Sequence, residues 1–137
     1  LDEAGIEYYF VYMTGLAGKG NGYRNARNSA ALFSQLNPYF ISIDSLSLFP
    51  DTELYHMARQ GLFVPAEEKE RIRELQLFIN NLKIRTHLLA NTVSNFAPVT
   101  AHLPYDREKV TSSLQYVLEH TDEKEMQEYR KNLKSLG

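Results

Sequence analysis

Apolar positions along this chain switch between two spacings. Residues 7–14, EYYFVYMT, are an unbroken aromatic and β-branched run. Their length and composition predict a strand buried on both faces, as in a parallel sheet. From 23 to 37 the period becomes helical, with Ala26, Ala30, Phe33 and Leu36 on one face. Asn37-Pro38 ends that helix, because Pro lacks the amide hydrogen and disfavours helix in the residue before it. Residues 39–48, YFISIDSLSL, predict a second strand, and Phe49-Pro50-Asp51 a turn. Thr52 is placed to cap a short helix through Gln60, which Gly61 stops. Residues 66–82 give the clearest helix, with Ile72, Leu75, Phe78, Ile79 and Leu82 as its stripe. Residues 84–90, IRTHLLA, predict a third, shorter strand. A loop of about 15 residues follows, containing Asn91, Asn95, Pro98 and Pro104; loops of that length are often functional or mobile. Asp106 then caps a helix carrying Val110, Leu114 and Val117. Asp122 with Glu125 resembles a capping box for a last helix with a Met126, Tyr129, Leu133 and Leu136 stripe.

The order β-α-β-α-α-β-loop-α-α predicts an α/β fold with right-handed parallel crossovers. About three parallel strands covered by helices make a small sheet with open edges, a pairing liability. A half (β/α) barrel of the triosephosphate-isomerase type, cut from a larger one, accounts for the short sheet and for the abrupt start at Leu1. Residues 1–120 form that half barrel and 121–137 a C-terminal helix or tail.

Length and charge narrow the classes. The 137 residues fit one domain with a real core. A net charge of −2 with no basic block gives no argument for nucleic acid. No apolar run reaches membrane-spanning length and there is no signal-peptide layout, so a cytoplasmic protein without a membrane partner is expected. Cysteine is absent, which excludes disulfides and thiolate metal sites within the chain.

The glycine stretch MTGLAGKGNGYR, residues 13–24, fails both phosphate-binding patterns. Lys19 is followed by Gly20 rather than Ser or Thr, and Gly18, Gly20 and Gly22 are spaced two and two. It reads as a sharply turning βα loop, whose backbone amides could still hold a small anion at a helix N-terminus. In the second strand Tyr39, Ile41, Ile43, Ser45 and Ser47 share one face; Phe40, Ser42, Asp44, Leu46 and Leu48 share the other. Ser45 and Ser47 fall at the C-terminal end, where parallel sheets place their sites, although small hydroxyls also relieve crowding. Asp44 needs a partner, with Arg85, Arg24 or solvent available. Of His56, His87, His102 and His120, none has metal-ligand spacing; His56 reads as structural, and only His87, near Asn91, is expected close to a pocket. Glu67, Glu68, Lys69, Glu70 and Arg71 read as a solvated helix end.

Taken in order, EAGIEYYFVYMTGLAGKG, LNPYFISIDSLSLFPDTELYHMARQGLF and LLANTVSNFAPVTAHLPYDREKV resemble the C-terminal half of radical S-adenosylmethionine (radical SAM) proteins, over nearly all of residues 3–119. The first is similar to a late barrel strand with its Gly-Leu-x-Gly turn. The second is similar to a strand followed by P-G-T-x-L, with Asp51 standing where Gly is usual. The third is similar to an Asn-rich segment leading to L-P-x-D in Fe–S oxidoreductases. The family's C-x-x-x-C-x-x-C, which holds a four-iron four-sulfur cluster, is not in this chain. The resemblance therefore implies a fragment, inactive alone and carrying no cofactor. Its full-length protein would bind the cluster and S-adenosylmethionine and cleave the latter reductively to a 5′-deoxyadenosyl radical. It implies Thr14, Gly15, Leu16, Ser45, Ser47, Leu48 and Asn91 as contacts to ribose, adenine or methionine, with no metal ligand and no assigned catalytic residue. The partners expected are the missing N-terminal half or, for the fragment alone, a second copy in a homo-oligomer or domain swap. The alternatives are a freestanding α/β module for small anions or interactions, and a coproporphyrinogen oxidase-like radical SAM enzyme.

Overall fold

A computed structural model describes residues 5–136 of the chain, with side chains to residue 133. Four strands and five helices follow in the order β1 (Tyr9–Thr14), α1 (Gly22–Phe33), β2 (Phe40–Ser45), α2 (Glu53–Arg59), α3 (Glu68–Asn81), β3 (Thr86–Ala90), β4 (Val99–Leu103), α4 (Arg107–His120) and α5 (Glu123–Leu136). The fold is α/β, with one open sheet ordered β1-β2-β3-β4. β1, β2 and β3 are parallel, with Tyr12 opposite Ile43 and Ile41 opposite Leu88.

The fourth strand corrects the expected long loop. β4 runs antiparallel to β3, pairing Thr86 with Leu103 and Ala90 with Val99. Its alternation is plain once the partner is known: Ala101 and Leu103 are buried while Thr100 and His102 are exposed. Five residues between Pro98 and Pro104 are too few to declare a period, and prolines usually mark strand limits. β4 also covers the edge of β3, so among the described residues β1 alone of the three parallel strands keeps an unpaired border.

Strand order dictates the layering. Consecutive parallel strands joined by right-handed crossovers place every connecting helix on the same face. Phe10, Tyr12 and Thr14 of β1, Ile41, Ile43 and Ser45 of β2, and Thr86, Leu88 and Ala90 of β3 point to that face. Ala26 and Ala30 let α1 pack closely against α3, whose expected stripe of Ile72, Leu75, Phe78, Ile79 and Leu82 is wholly buried. Phe78 stacks on Tyr12 at 4.3 Å and meets Phe33 edge-on. The other face carries Tyr9, Val11, Phe40, Ser42, Asp44, His87 and His102 and has no helix over it among the described residues. Tyr9 and Val11 remain 57% and 55% exposed. The first strand is thus covered on one face rather than two.

Local signals behaved unevenly. Thr52 caps α2, accepting from Tyr55 N–H. Asp106 stands at the N-cap of α4, but its carboxylate accepts from His102 N–H at 2.8 Å instead of closing the helix. In α4 the fully buried positions are Val110, Leu114 and Leu118, with Val117 half-buried. α5 buries Met126 and Arg130; Leu136 of its expected stripe has its side chain outside the described residues, as do Glu3 and Ala4 of the first family-like segment. No described helix is long and apolar enough to cross a membrane.

Phe78 joins the sheet to α1 at the centre of the core. Phe78→Ala is expected to cost about 3–5 kcal/mol, against less than about 0.5 kcal/mol for Leu32→Ala on the exposed face of α1. Urea unfolding of both variants checks this, and equal losses would show that the core is centred elsewhere.

Candidate functional site at the strand ends

α3 returns from the C-terminal ends of the strands to their N-terminal ends. Its first two turns therefore meet the loops that follow β1 and β2. Those turns carry Glu68, Glu70, Arg71 and Glu74, and all four are buried, Glu74 completely. This overturns the expectation of a solvated helix end for Glu68, Glu70 and Arg71; Glu67 alone of the acidic residues there is exposed. A charge-rich run was read without its destination, a set of backbone amides and arginines supplied from distant parts of the chain.

The glycine stretch is the first of these destinations. Gly15 N–H donates to Glu74 Oε1 at 3.0 Å. Gly20 N–H donates to both oxygens of Glu70 at 3.0 and 2.9 Å, and Gly22 N–H to Glu70 Oε2 at 3.1 Å. Asn21, at the N-cap of α1, makes no side-chain cap, so Glu70 serves as the anion at that helix start. The amides that could have received an external anion hold the protein's own carboxylates. Two positions need glycine for this fit. A Cβ on Gly15, at φ 83°, would lie 2.9 Å from Arg71 Nε, and one on Gly22 would lie 3.0 Å from both Glu70 and Glu74.

Glu74 is also bonded by Tyr12 OH, and Asn25 Nδ2 donates to Tyr12 OH at 3.1 Å. Burial raises the Glu74 carboxyl above its ordinary value, against the lowering effect of its donors, Tyr12 foremost. The Tyr12 phenol is raised too, by burial first and by its bond to Glu74 second.

Arg71 and Arg130 form the second cluster. Arg71 donates through one terminal nitrogen to Ser45 Oγ at 3.2 Å and to Leu46 O, and through Nε to Ala66 O at 3.3 Å. Burial lowers its guanidinium, and Glu68, 3.6 Å away, opposes that shift. Arg130, from α5, donates to both oxygens of Glu68 at 3.0 and 2.9 Å, to Ser47 Oγ at 2.7 Å and to Ser94 O at 2.7 Å. α5 completes the exchange by capping α3: Glu123 accepts from Glu68 N–H and Lys69 N–H, both at 2.8 Å.

The residues expected to touch a cofactor separate accordingly. Thr14 and Ser45 are buried on the helix side of the sheet; Ser45 is engaged by Arg71, Ser47 by Arg130 and Gly15 by Glu74. Leu48 is buried, whereas Leu16 and Asn91 are exposed. Asn95 is the buried asparagine of its loop, donating to Ile43 O at 2.9 Å. His87 lies near the N-terminal end of β3, stacked at 4.4 Å on His102 and away from the strand ends, so it does not line a site there. Asp44 pairs with neither Arg85 nor Arg24; its carboxylate accepts from Thr92 Oγ1 at 2.7 Å.

What the strand ends present outward is a groove of about 480 Å³ on the uncovered side of the sheet. Met13, Leu46, Phe49, Val93 and Leu133 wall it, and Asp44 carries its charge. The volume suits a small organic molecule. Sequence reading had Asp44 as a puzzle and missed Phe49, Val93 and Leu133, which come from a turn, a loop and a helix that only folding brings together.

Because Glu74 binds its proton more tightly in the folded chain than in the unfolded one, its contribution to stability is fully present below the ordinary carboxyl value of about 4.3 and is lost as pH rises through its raised value. Glu74→Gln keeps one acceptor, for Gly15 N–H, presents an amide donor to the Tyr12 oxygen in place of the second acceptor, and carries no titrating proton, so it should remove that decline. Unfolding free energies across a pH series, wild type minus variant, are expected to fall with rising pH in that window; a flat difference would count against a strained buried carboxyl.

No protein-family model, no curated protein and no solved structure matches this chain.

Proposed function

We propose that this chain is the C-terminal portion of a radical SAM iron–sulfur oxidoreductase, forming part of the wall of its (β/α) barrel. The observation that carries this reading is the one-sided sheet. Three parallel strands in consecutive order have the packed crossover helices α1 and α3 on one face, and the other face is largely open among the described residues. Parallel sheets are ordinarily covered on both faces, and an arc of barrel wall is the arrangement in which the second face looks into a lumen. Two of the family-like segments support the reading: Gly-Leu-x-Gly follows β1, and Phe49-Pro50-Asp51-Thr52 follows β2.

The residues do not fit the iron–sulfur cluster, since the chain has no cysteine; on this reading its ligands lie in another part of the protein. They fit S-adenosylmethionine in a narrower way than the family resemblance implies. Leu16 and Asn91 offer exposed surface at the rim, and Gly15, Ser45 and Ser47, already engaged internally, set the shape of the loops behind it. Bound beside a reduced cluster held elsewhere in the protein, S-adenosylmethionine would supply a 5′-deoxyadenosyl radical. This chain's task is to orient ligands at the strand ends and to keep water and quenching groups away. The uncovered face and the unpaired edge of β1 would seat the rest of the barrel or, in the isolated chain, a second copy.

The coding sequence upstream of Leu1 tests the reading. A C-x-x-x-C-x-x-C about 100–150 residues earlier, one domain length, is expected. The longer product, reconstituted anaerobically with iron and sulfide and then reduced, should release 5′-deoxyadenosine from S-adenosylmethionine. An upstream frame lacking the cysteines, or a cluster-loaded product that forms no 5′-deoxyadenosine, would overturn it.

A further inference from the structure

The interior carboxylates of this protein are answered by donors: Glu68 by Arg130, Glu70 by two backbone amides, Glu74 by Tyr12 and Gly15. Asp44 differs in having a single hydroxyl donor among the described residues. It is half-buried and faces the apolar groove, and no described Lys, Arg or His lies within ion-pair distance of it. One oxygen accepts from Thr92 Oγ1 at 2.7 Å. Thr92 is itself held, 2.9 Å from Ser94 Oγ and 3.2 Å from Asn95 Nδ2. Ser94 Oγ in turn accepts from Ser45 N–H at 3.0 Å. Among the described residues this chain of bonds fixes the direction of the carboxylate through one of its two oxygens.

We infer that the groove binds an organic monocation: an ammonium or similar group on Asp44, joined to an apolar body lying against Met13, Leu46, Phe49 and Val93. The inference deepens the function proposed above and rests on it only for calling this ligand a substrate. An anion is repelled by Asp44. A neutral apolar molecule filling the groove strips water from the carboxylate and returns no hydrogen bond. A cationic donor replaces that water with a charge-assisted hydrogen bond in a partly desolvated setting, and the apolar walls add burial that a small inorganic cation cannot use. The volume of about 480 Å³ accommodates such a molecule.

S-Adenosylmethionine is itself an organic cation, so the experiment separates it from an amine substrate. The purified chain is titrated at low salt with phenethylammonium, the near-isosteric 2-phenylethanol, phenylacetate and S-adenosylmethionine, following backbone amide resonances. Phenethylammonium is expected to shift residues 44–49 and 92–94 and to bind about tenfold or more tighter than the alcohol, with phenylacetate weaker still. Asp44→Asn should bring amine and alcohol to equal affinity, and Thr92→Val should reduce the preference in part. Equal binding of amine and alcohol by the wild-type chain, shifts confined to other residues, or an unchanged preference in Asp44→Asn would overturn the inference. So would an Asp44-dependent site that takes S-adenosylmethionine and rejects the amine, since the carboxylate would then serve the cofactor. The two readings fail separately: a longer product that forms 5′-deoxyadenosine survives loss of the amine preference, and a cation-selective groove survives an upstream frame without cysteines.

Discussion

The position of α3 against the strand ends depends on burying charge. Glu68, Glu70, Arg71 and Glu74 occupy its first two turns, and each is bonded to a different distant segment: α5, the glycine loop, the end of β2 and β1. Removing ions from water costs several kcal/mol each, and such clusters are weak sources of net stability. What this one contributes is position. An apolar stripe tolerates a helix sliding or rotating by a fraction of a turn, whereas two backbone amides on one carboxylate do not. Glu70 fixes the glycine loop and the start of α1, and Glu123 fixes the start of α3 in the same way. The loops at the strand ends thus inherit their geometry from helices lying behind them.

Much of the scaffold could be read in advance because its signals are local and periodic. The α3 stripe, the Ala26–Ala30 face of α1 and the Thr52 cap each follow from spacing or from one side chain. β4 could not be read this way. Its five residues sit between prolines, and its pattern acquires meaning only opposite β3. The charged turns of α3 failed for a different reason. Local composition cannot distinguish a solvated acidic helix start from one whose carboxylates serve as caps, because the amides they serve are about fifty residues away in sequence. Glycines at 15, 20 and 22 were the one available hint: a loop offering amides needs an anion, and the chain's own acids are the nearest supply.

The candidate site divides along the same line. Ser45 and Ser47 were singled out for lying at the end of a parallel strand; Ser45 does end β2, whereas Ser47 lies just beyond it, because the strand stops at Ser45 rather than at Leu48. Their hydroxyls are nevertheless engaged by Arg71 and Arg130. Strand alternation explains this: Ile41, Ile43 and Ser45 share the face that the helices cover, so the Ser45 hydroxyl turns to Arg71 although Ser45 and Ser47 both also line the groove. Asp44, one position earlier, points to the uncovered face and reaches the groove.

This division also limits what chemistry the chain can perform. On the helix side, proton-bearing groups are buried and mutually bonded; Tyr12 and Glu74 exchange hydrogen bonds with each other and with Asn25, not with anything that could enter. On the open side, the strand ends offer one carboxylate, a few hydroxyls and apolar walls. A surface of that kind is equipped to select and orient a ligand. On the proposed reading, reactivity comes from a group that the ligand or another part of the protein brings, and these residues would hold the reacting molecule still, with its charged end on Asp44, while the loops behind keep the groove in shape.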